Sequence, residues 1–271
     1  MDRRSWPGSA RLAVVHAVWG AVALNVRWPT PVEPLGGAPL HVGGCDAEQG
    51  TSAQTTTPGH VGGPAVTTSE WWEPFSDAVP RWFSRYLGVE PSASLIRCYE
   101  AQFLPGLFQT AAYARAVIGL THTDRAAVER RVELRQARQR LLDRAHPPTV
   151  QAVISEDALT LPPMTPGQRR EQLDRLVALM ERPHITIAIL ASAQAATVNG
   201  PSFTIISFSD SATPDLVYIE EPDDAQYLTE PADITHYEQL LADLSSMGST
   251  GDEARAVLSE LRARWTAATP P

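Results

Sequence analysis

Residues 185–228 read ITIAILASAQAATVNGPSFTIISFSDSATPDLVYIEEPDDAQYL, and this stretch decides the fold class. It contains short runs that are rich in β-branched and aromatic residues and are separated by Gly, Pro and Asp, a pattern typical of strands. The predicted strands span residues 185–190, 203–208, 216–219 and 226–228. Because the connections are too short for helical crossovers, we expect these strands to be largely antiparallel.

Helical periodicity flanks the β-rich stretch on both sides. Thr110 is suited to cap a helix that runs through Ile118 and stops at Gly119. Thr123 or Asp124 is suited to open a longer helix that runs to about residue 144. Further helices are predicted at residues 167–181, 234–247 and 252–267, with another strand at 150–155. These elements predict an α+β fold, with helices packed on one small, mainly antiparallel sheet.

The amino-acid composition and the hydrophobic periodicity change near residue 70. Residues 1–70 are dense in Gly and Pro and have no sustained periodicity, so we predict an irregular or disordered N-terminal segment before a domain at 71–271. The apolar residues 12–26 superficially resemble a signal peptide, but they lack a clear cleavage site. We therefore expect a cytoplasmic protein without membrane attachment. A misassigned start codon, with residues 1–70 not made, is a further alternative.

The composition limits the catalytic mechanisms and the ligands that are open to this protein. All basic residues are arginine, which excludes mechanisms that need a Schiff-base or P-loop lysine. The net charge of −9 repels nucleic-acid phosphates, so we expect no direct nucleic-acid binding. The two cysteines, Cys45 and Cys98, and the seven scattered histidines show no metal-ligand spacing. We predict no metal, no cofactor and no catalytic residue set.

Residues 128–142 form an arginine-rich predicted helix, in which Arg131, Arg135 and Arg138 lie beside an apolar stripe. Such a row suits the binding of phosphates or of an acidic partner protein. The alternative, which we favour, is a solvated face with one arginine used internally. We predict that Arg138 pairs with Glu156, because each lies at the apolar edge of its element.

Two other groups of residues have alternative interpretations. Asp223 and Asp224 belong to an acidic cluster that would suit a metal, but a solvated turn between strands is the simpler interpretation. Aromatic residues recur between positions 71 and 86 at helical spacing. They could line a ligand pocket or a partner interface, and we favour core packing.

Several motifs resemble the C-terminal domain of actinobacterial XRE-type helix-turn-helix regulators of the WhiJ-like, antitoxin-like family. The matching stretches are residues 71–73, 82–88, 96–110, 113–118, 131–139, 154–159, 172–173, 200–205 and 217–220. The resemblance implies transcriptional regulation, or antitoxin-like action through a small protein partner, without an established catalytic residue set. Residues 161–166 depart from the pattern, and no DNA-binding domain of this family is recognised upstream.

We therefore predict a regulatory binding module without its own DNA-binding domain. Its partner is expected to be a small-molecule ligand or a small protein, with assembly into a homo- or hetero-oligomer left open. The predicted binding residues are Phe103, Gln109, Thr110, Tyr113, Arg135 and Arg138. The alternative is an enzyme recruited from this regulator fold into a natural-product pathway, which would use a shaped aromatic pocket and the Asp223/Asp224 cluster.

Overall fold

The computed structural model describes residues 71–198, 200–221 and 224–267. The predictions for residues 1–70 and for Asp223 lie outside this part of the chain. The α-helices of the described residues are α1 Arg81–Val89, α2 Ala111–Ile118, α3 Arg125–Gln139, α4 Asp157–Thr160, α5 Pro166–Met180, α6 Ser192–Ala195, α7 Pro231–Met247 and α8 Gly251–Ala267. Short 3₁₀ helices span Glu73–Ala78, Glu90–Ser92, Gly106–Phe108 and Arg140–Asp143.

One mixed sheet of six strands forms the centre of the described domain, with the strand order β3-β2-β1-β4-β5-β6. The strands are β1 Ala93–Glu100, β2 Thr149–Ser155, β3 Ile185–Leu190, β4 Phe203–Phe208, β5 Leu216–Glu220 and β6 Ala225–Leu228. β3, β2 and β1 are parallel, whereas β1, β4, β5 and β6 pair antiparallel. The α+β prediction is confirmed.

The parallel half of the sheet differs from the antiparallel arrangement expected for the β-rich stretch. The chain leaves β1 and returns to β2 after α2 and α3, and it returns from β2 to β3 after α5. Such helical crossovers bring successive strands back in the same direction. β3 therefore lies at the edge beside β2, far from β4, and only β4, β5 and β6 form the expected antiparallel succession.

The helix starts follow local capping chemistry. The hydroxyl of Thr110 accepts a hydrogen bond from the N–H of Tyr113, and Gly119 caps the other end of α2 as predicted. Asp124 accepts from two N–H groups in the first turn of α3. Thr165 forms a capping box at the start of α5. These side chains satisfy N–H groups that the first turn of a helix leaves unpaired.

The two faces of the sheet are covered differently. One face packs against helices that include α5 and α8, with Ile154 and Leu176 in its core. The opposite face packs against α7 through residues such as Phe203 and Leu244. Within the described residues, no helix is long and apolar enough to cross a membrane.

Candidate functional site

Five glutamate and arginine side chains are buried around α3 and the adjoining ends of α1, β1 and β5. Arg135 and Arg138 come from α3, Glu90 follows α1, and Glu100 and Glu220 end β1 and β5. We call these five residues the buried charge cluster. Buried charges are rare unless they are paired, and they occur often at functional sites, so the cluster is the first candidate.

Arg138 and Glu90 form a bidentate ion pair. Nε and Nη2 of Arg138 donate to the Glu90 carboxylate oxygens at 3.0 and 2.8 Å. The guanidinium also lies over the rings of Phe83 and Tyr86, 5.1 and 5.4 Å from their centroids. Burial alone would lower the pKa of Arg138, but the Glu90 carboxylate outweighs it and holds that pKa above its usual value.

The predicted pairing of Arg138 with Glu156 is wrong, because the ion-pair partner of Arg138 is Glu90. Glu156 follows β2 at a half-buried position. The chain places Glu90 at the junction of α1 and β1, next to the aromatic rings that receive the guanidinium. Apolar periodicity indicates which side of an element is buried, but it does not indicate which neighbour packs there.

Arg135 lies beside the two strand-end carboxyls. Its Nη1 donates to Oε1 of Gln109 at 2.7 Å. Burial and the neighbouring charge of Arg138 lower the pKa of Arg135 to about 10, while Glu220 and Glu100 act in the opposite direction. The side chain therefore keeps its positive charge at neutral pH.

Glu100 is enclosed together with a small cavity. Its side chain lines a cavity of about 30 Å³, as do Cys98, Thr204 and Tyr218. Its Oε2 is buried and has no hydrogen-bond partner among the described residues. Burial raises the pKa of Glu100 well above that of an ordinary glutamate, and the neighbouring carboxyl of Glu220 adds to the rise. Protonation makes the Glu100 carboxyl neutral, which avoids the free-energy cost of a buried negative charge without hydrogen bonds at Oε2.

The remaining predicted site residues form the buried connection between β1 and α2. The Gln109 amide donates to the carbonyl of Leu104 at 2.7 Å. The Tyr113 hydroxyl accepts from the N–H of Leu104 and donates to the carbonyl of Ala158. Phe103 and Thr110 are buried as well. The structure thus brings Gln109 to Arg135, whereas the roles of these residues in binding stay predictions.

A groove of about 900 Å³ is lined largely by residues of α3. The aromatic side chains that line it are Trp71 and Phe75. The remaining lining residues are mostly polar, and they include Arg115, Glu129, Arg130, Glu133, Gln136, Arg140 and Arg144. Arg138 and Glu90 also line the groove, so α3 connects it to the buried charge cluster. We refer to it as the α3 groove.

The arginines of the α3 groove differ in how far they are paired. Arg115 forms a bidentate pair with Glu129, and Arg130 pairs with Asp77 and Glu133. Arg144 donates to the backbone carbonyl of Pro91. The side chain of Arg140 is exposed and forms neither a hydrogen bond nor an ion pair with another described residue. Part of the positive charge of the groove is therefore available to a ligand.

The sequence prediction missed Arg140 and Arg144. Both lie in or just beyond the arginine-rich stretch 128–142, but helical spacing predicts the row Arg131, Arg135 and Arg138. Two of those three are buried, and the exposed arginines follow where α3 gives way to a 3₁₀ turn. Lining up residues on an ideal helix cannot anticipate that change of pitch.

The acidic turn between β5 and β6 shows ordinary turn chemistry in its described part. The carboxylate of the exposed Asp224 accepts from the N–H of Ala225 at 2.8 Å. Over residues 71–198, 200–221 and 224–267, no group of three or more His, Cys, Asp or Glu could hold a metal ion.

A protein-family model described as a domain of unknown function, DUF5753, matches residues 83–260, which is more than half of the chain. The chain belongs to the DUF5753 family. The matched range of the DUF5753 domain extends from Phe83 in α1 to Glu260 in α8. It therefore contains the whole sheet and the buried charge cluster, while Trp71 and Phe75 of the α3 groove precede it. Neither a curated protein nor a solved structure matches the chain.

Proposed function

We propose that this DUF5753 protein is a non-enzymatic regulatory binding module that binds an acidic segment of a protein partner in the α3 groove. The resemblance of its motifs to the C-terminal domain of XRE-type, WhiJ-like regulators supports the regulatory part of this proposal. The position and chemistry of the groove support the binding part.

The observation that carries the proposal is the charge of the groove. Apart from the buried pair Arg138–Glu90, its charged lining consists of four arginines and two glutamates. The chain as a whole has a net charge of −9. A basic groove on an acidic protein attracts an acidic segment locally, and the remaining surface repels acidic molecules that do not fit the groove.

The groove also has the aromatic and arginine side chains that most often contribute binding energy at protein interfaces. Trp71 is held in place because its indole N–H donates to the carbonyl of Leu87 at 3.0 Å. The guanidinium of Arg130 lies over the ring of Phe75, with its Cζ atom 4.6 Å from the ring centroid. An apolar side chain of the partner would pack against Trp71 and Phe75, while its carboxylates would reach Arg140 and Arg144.

The rigidity of α3 supports the proposal as well. Arg138 and Gln139 fasten the helix to Glu90 and to the carbonyls of Gly106 and Gln109. A helix whose position is already fixed loses little backbone conformational entropy when a partner binds.

No observation among the described residues favours the alternative of a recruited enzyme. The cavity beside Glu100 measures about 30 Å³. Pockets for organic ligands have volumes on the order of 300–1,000 Å³. The α3 groove reaches that size, but its charged residues are arginines and glutamates that mostly pair with one another.

The experiment identifies the partner and then measures its binding. A photo-crosslinking residue replaces Glu133 in the groove, the crosslinked protein is identified by mass spectrometry, and the purified partner is titrated calorimetrically. We expect the double substitution Arg140→Glu and Arg144→Glu to weaken binding by at least about tenfold, which corresponds to about 1.4 kcal/mol.

The matched control is the double substitution Arg262→Glu and Arg264→Glu on α8. The side chains of these two arginines are 56% and 64% exposed. These substitutions change the net charge equally, so they should leave the dissociation constant within about twofold. Equal weakening by both double variants, or unchanged binding of the groove variant, would contradict the proposal.

A further inference from the structure

A second concavity, a hollow of about 450 Å³, adjoins the α3 groove. It is lined by Arg115 of α2, by Gly119 at the end of that helix, and by Arg125, Val128 and Glu129 of α3. Arg115 and Glu129 line the α3 groove as well, so the two concavities meet at this ion pair. We call the second concavity the α2–α3 hollow.

The α2–α3 hollow continues the groove along one face of α3. Arg125, Glu129, Glu133, Gln136 and Arg140 follow one another at spacings of four, four, three and four residues. Residues three or four apart lie on the same side of a helix. Arg125 and Glu129 line the hollow, and the last four of the five line the groove. A partner that lies along this face therefore meets both concavities.

Arg115 holds Glu129 in the geometry that a carboxylate ligand would adopt. Its Nε and Nη2 donate to the two carboxylate oxygens of Glu129 at 2.6 and 2.7 Å. Arginine binds the carboxylates of partner proteins through the same two parallel hydrogen bonds. These bonds favour both charged forms, so they raise the pKa of Arg115 and lower the pKa of Glu129. Glu129 thus occupies a site that suits a carboxylate from outside.

The ion pair can open without disturbing the core. Both side chains are partly exposed, and such pairs contribute little net stability because water solvates the separated groups. Beneath the pair, α2 and α3 pack through the buried residues Ala114, Ile118, Val128 and Val132. This packing fixes the backbones that carry the two charged side chains. Exchange of one carboxylate for another at Arg115 therefore leaves the helices in place.

Arg125 provides a position to which the Glu129 carboxylate can move. It is exposed and forms neither a hydrogen bond nor an ion pair with another described residue. It precedes Glu129 by four residues, a spacing at which opposite charges on a helix attract each other. The neighbouring Asp124 carboxylate accepts from two backbone N–H groups of the first turn instead. A displaced Glu129 side chain therefore keeps a positive charge beside it.

We propose that Arg115 is a second carboxylate subsite of the partner-binding surface, which Glu129 occupies until a carboxylate of the partner displaces it. The inference rests on the proposed function and defines the extent of the acidic segment. Because a helix rises about 1.5 Å per residue, Glu129 and Arg140 lie about 16 Å apart along α3. An extended chain covers this distance with about five residues. The partner segment therefore carries acidic groups at both ends of such a stretch.

A defined acidic peptide tests whether both subsites bind. The probe is a blocked peptide of about nine glutamates, which is long enough to span the two subsites. The full chain, labelled with ¹³C and ¹⁵N at arginine, is titrated at low salt, where charge attraction is least screened. We expect the Nε and Cζ signals of Arg115, Arg140 and Arg144 to shift together. Shifts at Arg140 and Arg144 alone would overturn the second subsite and leave the groove proposal intact, whereas no shift at any of the three would contradict both.

Substitution of Glu129 tests the displacement. Glu129→Gln removes the internal carboxylate, so we expect the dissociation constant of the peptide to fall by at least about threefold. Glu133→Gln is the matched control, because it makes the same change of charge on the same helix face, where Glu133 accepts one hydrogen bond from Arg130 at 3.1 Å. It should lower the constant by no more than about 1.5-fold.

The gain from Glu129→Gln should depend on Arg115. The double variant Arg115→Gln with Glu129→Gln has the net charge of the wild type and lacks the subsite, so it should bind the peptide no more tightly than the wild type. A gain that persists in the double variant, or an equal gain from Glu133→Gln, would overturn the proposal.

Discussion

In the part of the chain that the structure describes, Arg138 and Arg115 form bidentate pairs with glutamates in opposite surroundings. Arg138 and Glu90 are 6% and 2% exposed, whereas Arg115 and Glu129 are 46% and 39% exposed. Both pairs have short contacts, of 2.8 and 2.6 Å. Water screens the second pair and competes for its hydrogen bonds, so similar geometry carries very different energies.

The residue-scale prediction compares the two pairs. Arg138→Met should lower the free energy of unfolding by about 3–5 kcal/mol, because it leaves the Glu90 carboxylate buried without a partner. Arg115→Met should cost at most about 1 kcal/mol. Denaturant titration of both variants measures the difference. The double variant Arg138→Met with Glu90→Gln should recover part of the loss, and a loss as large as in the single variant would contradict this explanation.

At the scale of elements, the buried connection between β1 and α2 depends on side chains from other helices. It has little regular structure, so its backbone groups need partners elsewhere. Gln172 on α5 accepts from the N–H of Thr110 at 2.7 Å and donates to the carbonyl of Phe108 at 2.9 Å. Gln139 on α3 donates to the carbonyls of Gly106 and Gln109. Side-chain amide hydrogen bonds thereby join the connection between β1 and α2 to both α5 and α3.

The element-scale prediction concerns Gln172. Gln172→Leu keeps the volume but leaves a buried N–H and a buried carbonyl without this partner, so we expect a loss of about 2–4 kcal/mol of stability. The amide of Thr110 should also exchange its hydrogen faster than in the wild type. Glu171→Ala, at an exposed position of the same helix, should change stability by no more than about 0.5 kcal/mol. Unchanged exchange at Thr110 would show that the connection is held by packing alone.

At the scale of the whole molecule, the described residues build one sheet with helices on both of its faces. The six strands pair with one another, and the buried hydrophobic residues of the described chain extend from Ala78 to Leu261. A domain with its own hydrophobic core is in principle able to fold alone. The division predicted from the sequence, between residues 1–70 and 71–271, can therefore be tested directly.

The whole-molecule prediction is that residues 71–271 fold by themselves. Thermal unfolding followed by circular dichroism should show one cooperative transition in this fragment, close in midpoint to that of the full chain. Strong binding of a hydrophobic dye, combined with loss of the near-ultraviolet signal, would show that the fragment is molten and that the division is wrong.

The bounds of α2 and the starts of α3 and α5 could be predicted closely from the sequence because they depend on chemistry within one turn of the chain, whereas α3 ends at Gln139 and not near residue 144. Thr110, Asp124 and Thr165 satisfy N–H groups two or three residues away, and such contacts exist whatever packs around them. The antiparallel succession of β4, β5 and β6 follows in the same way from short connections. Two members of the buried charge cluster, Arg135 and Arg138, were also among the predicted site residues.

The tertiary structure alone decided the rest. β3 joined β2 at the parallel edge, and Arg138 paired with Glu90, 48 residues earlier in the chain, instead of Glu156. These outcomes depend on which crossover packs against which face, and that competition involves contacts distant in sequence. The sequence by itself determined the local elements and the charges available, and tertiary packing determined which of those charges lie in water and which lie beneath α3.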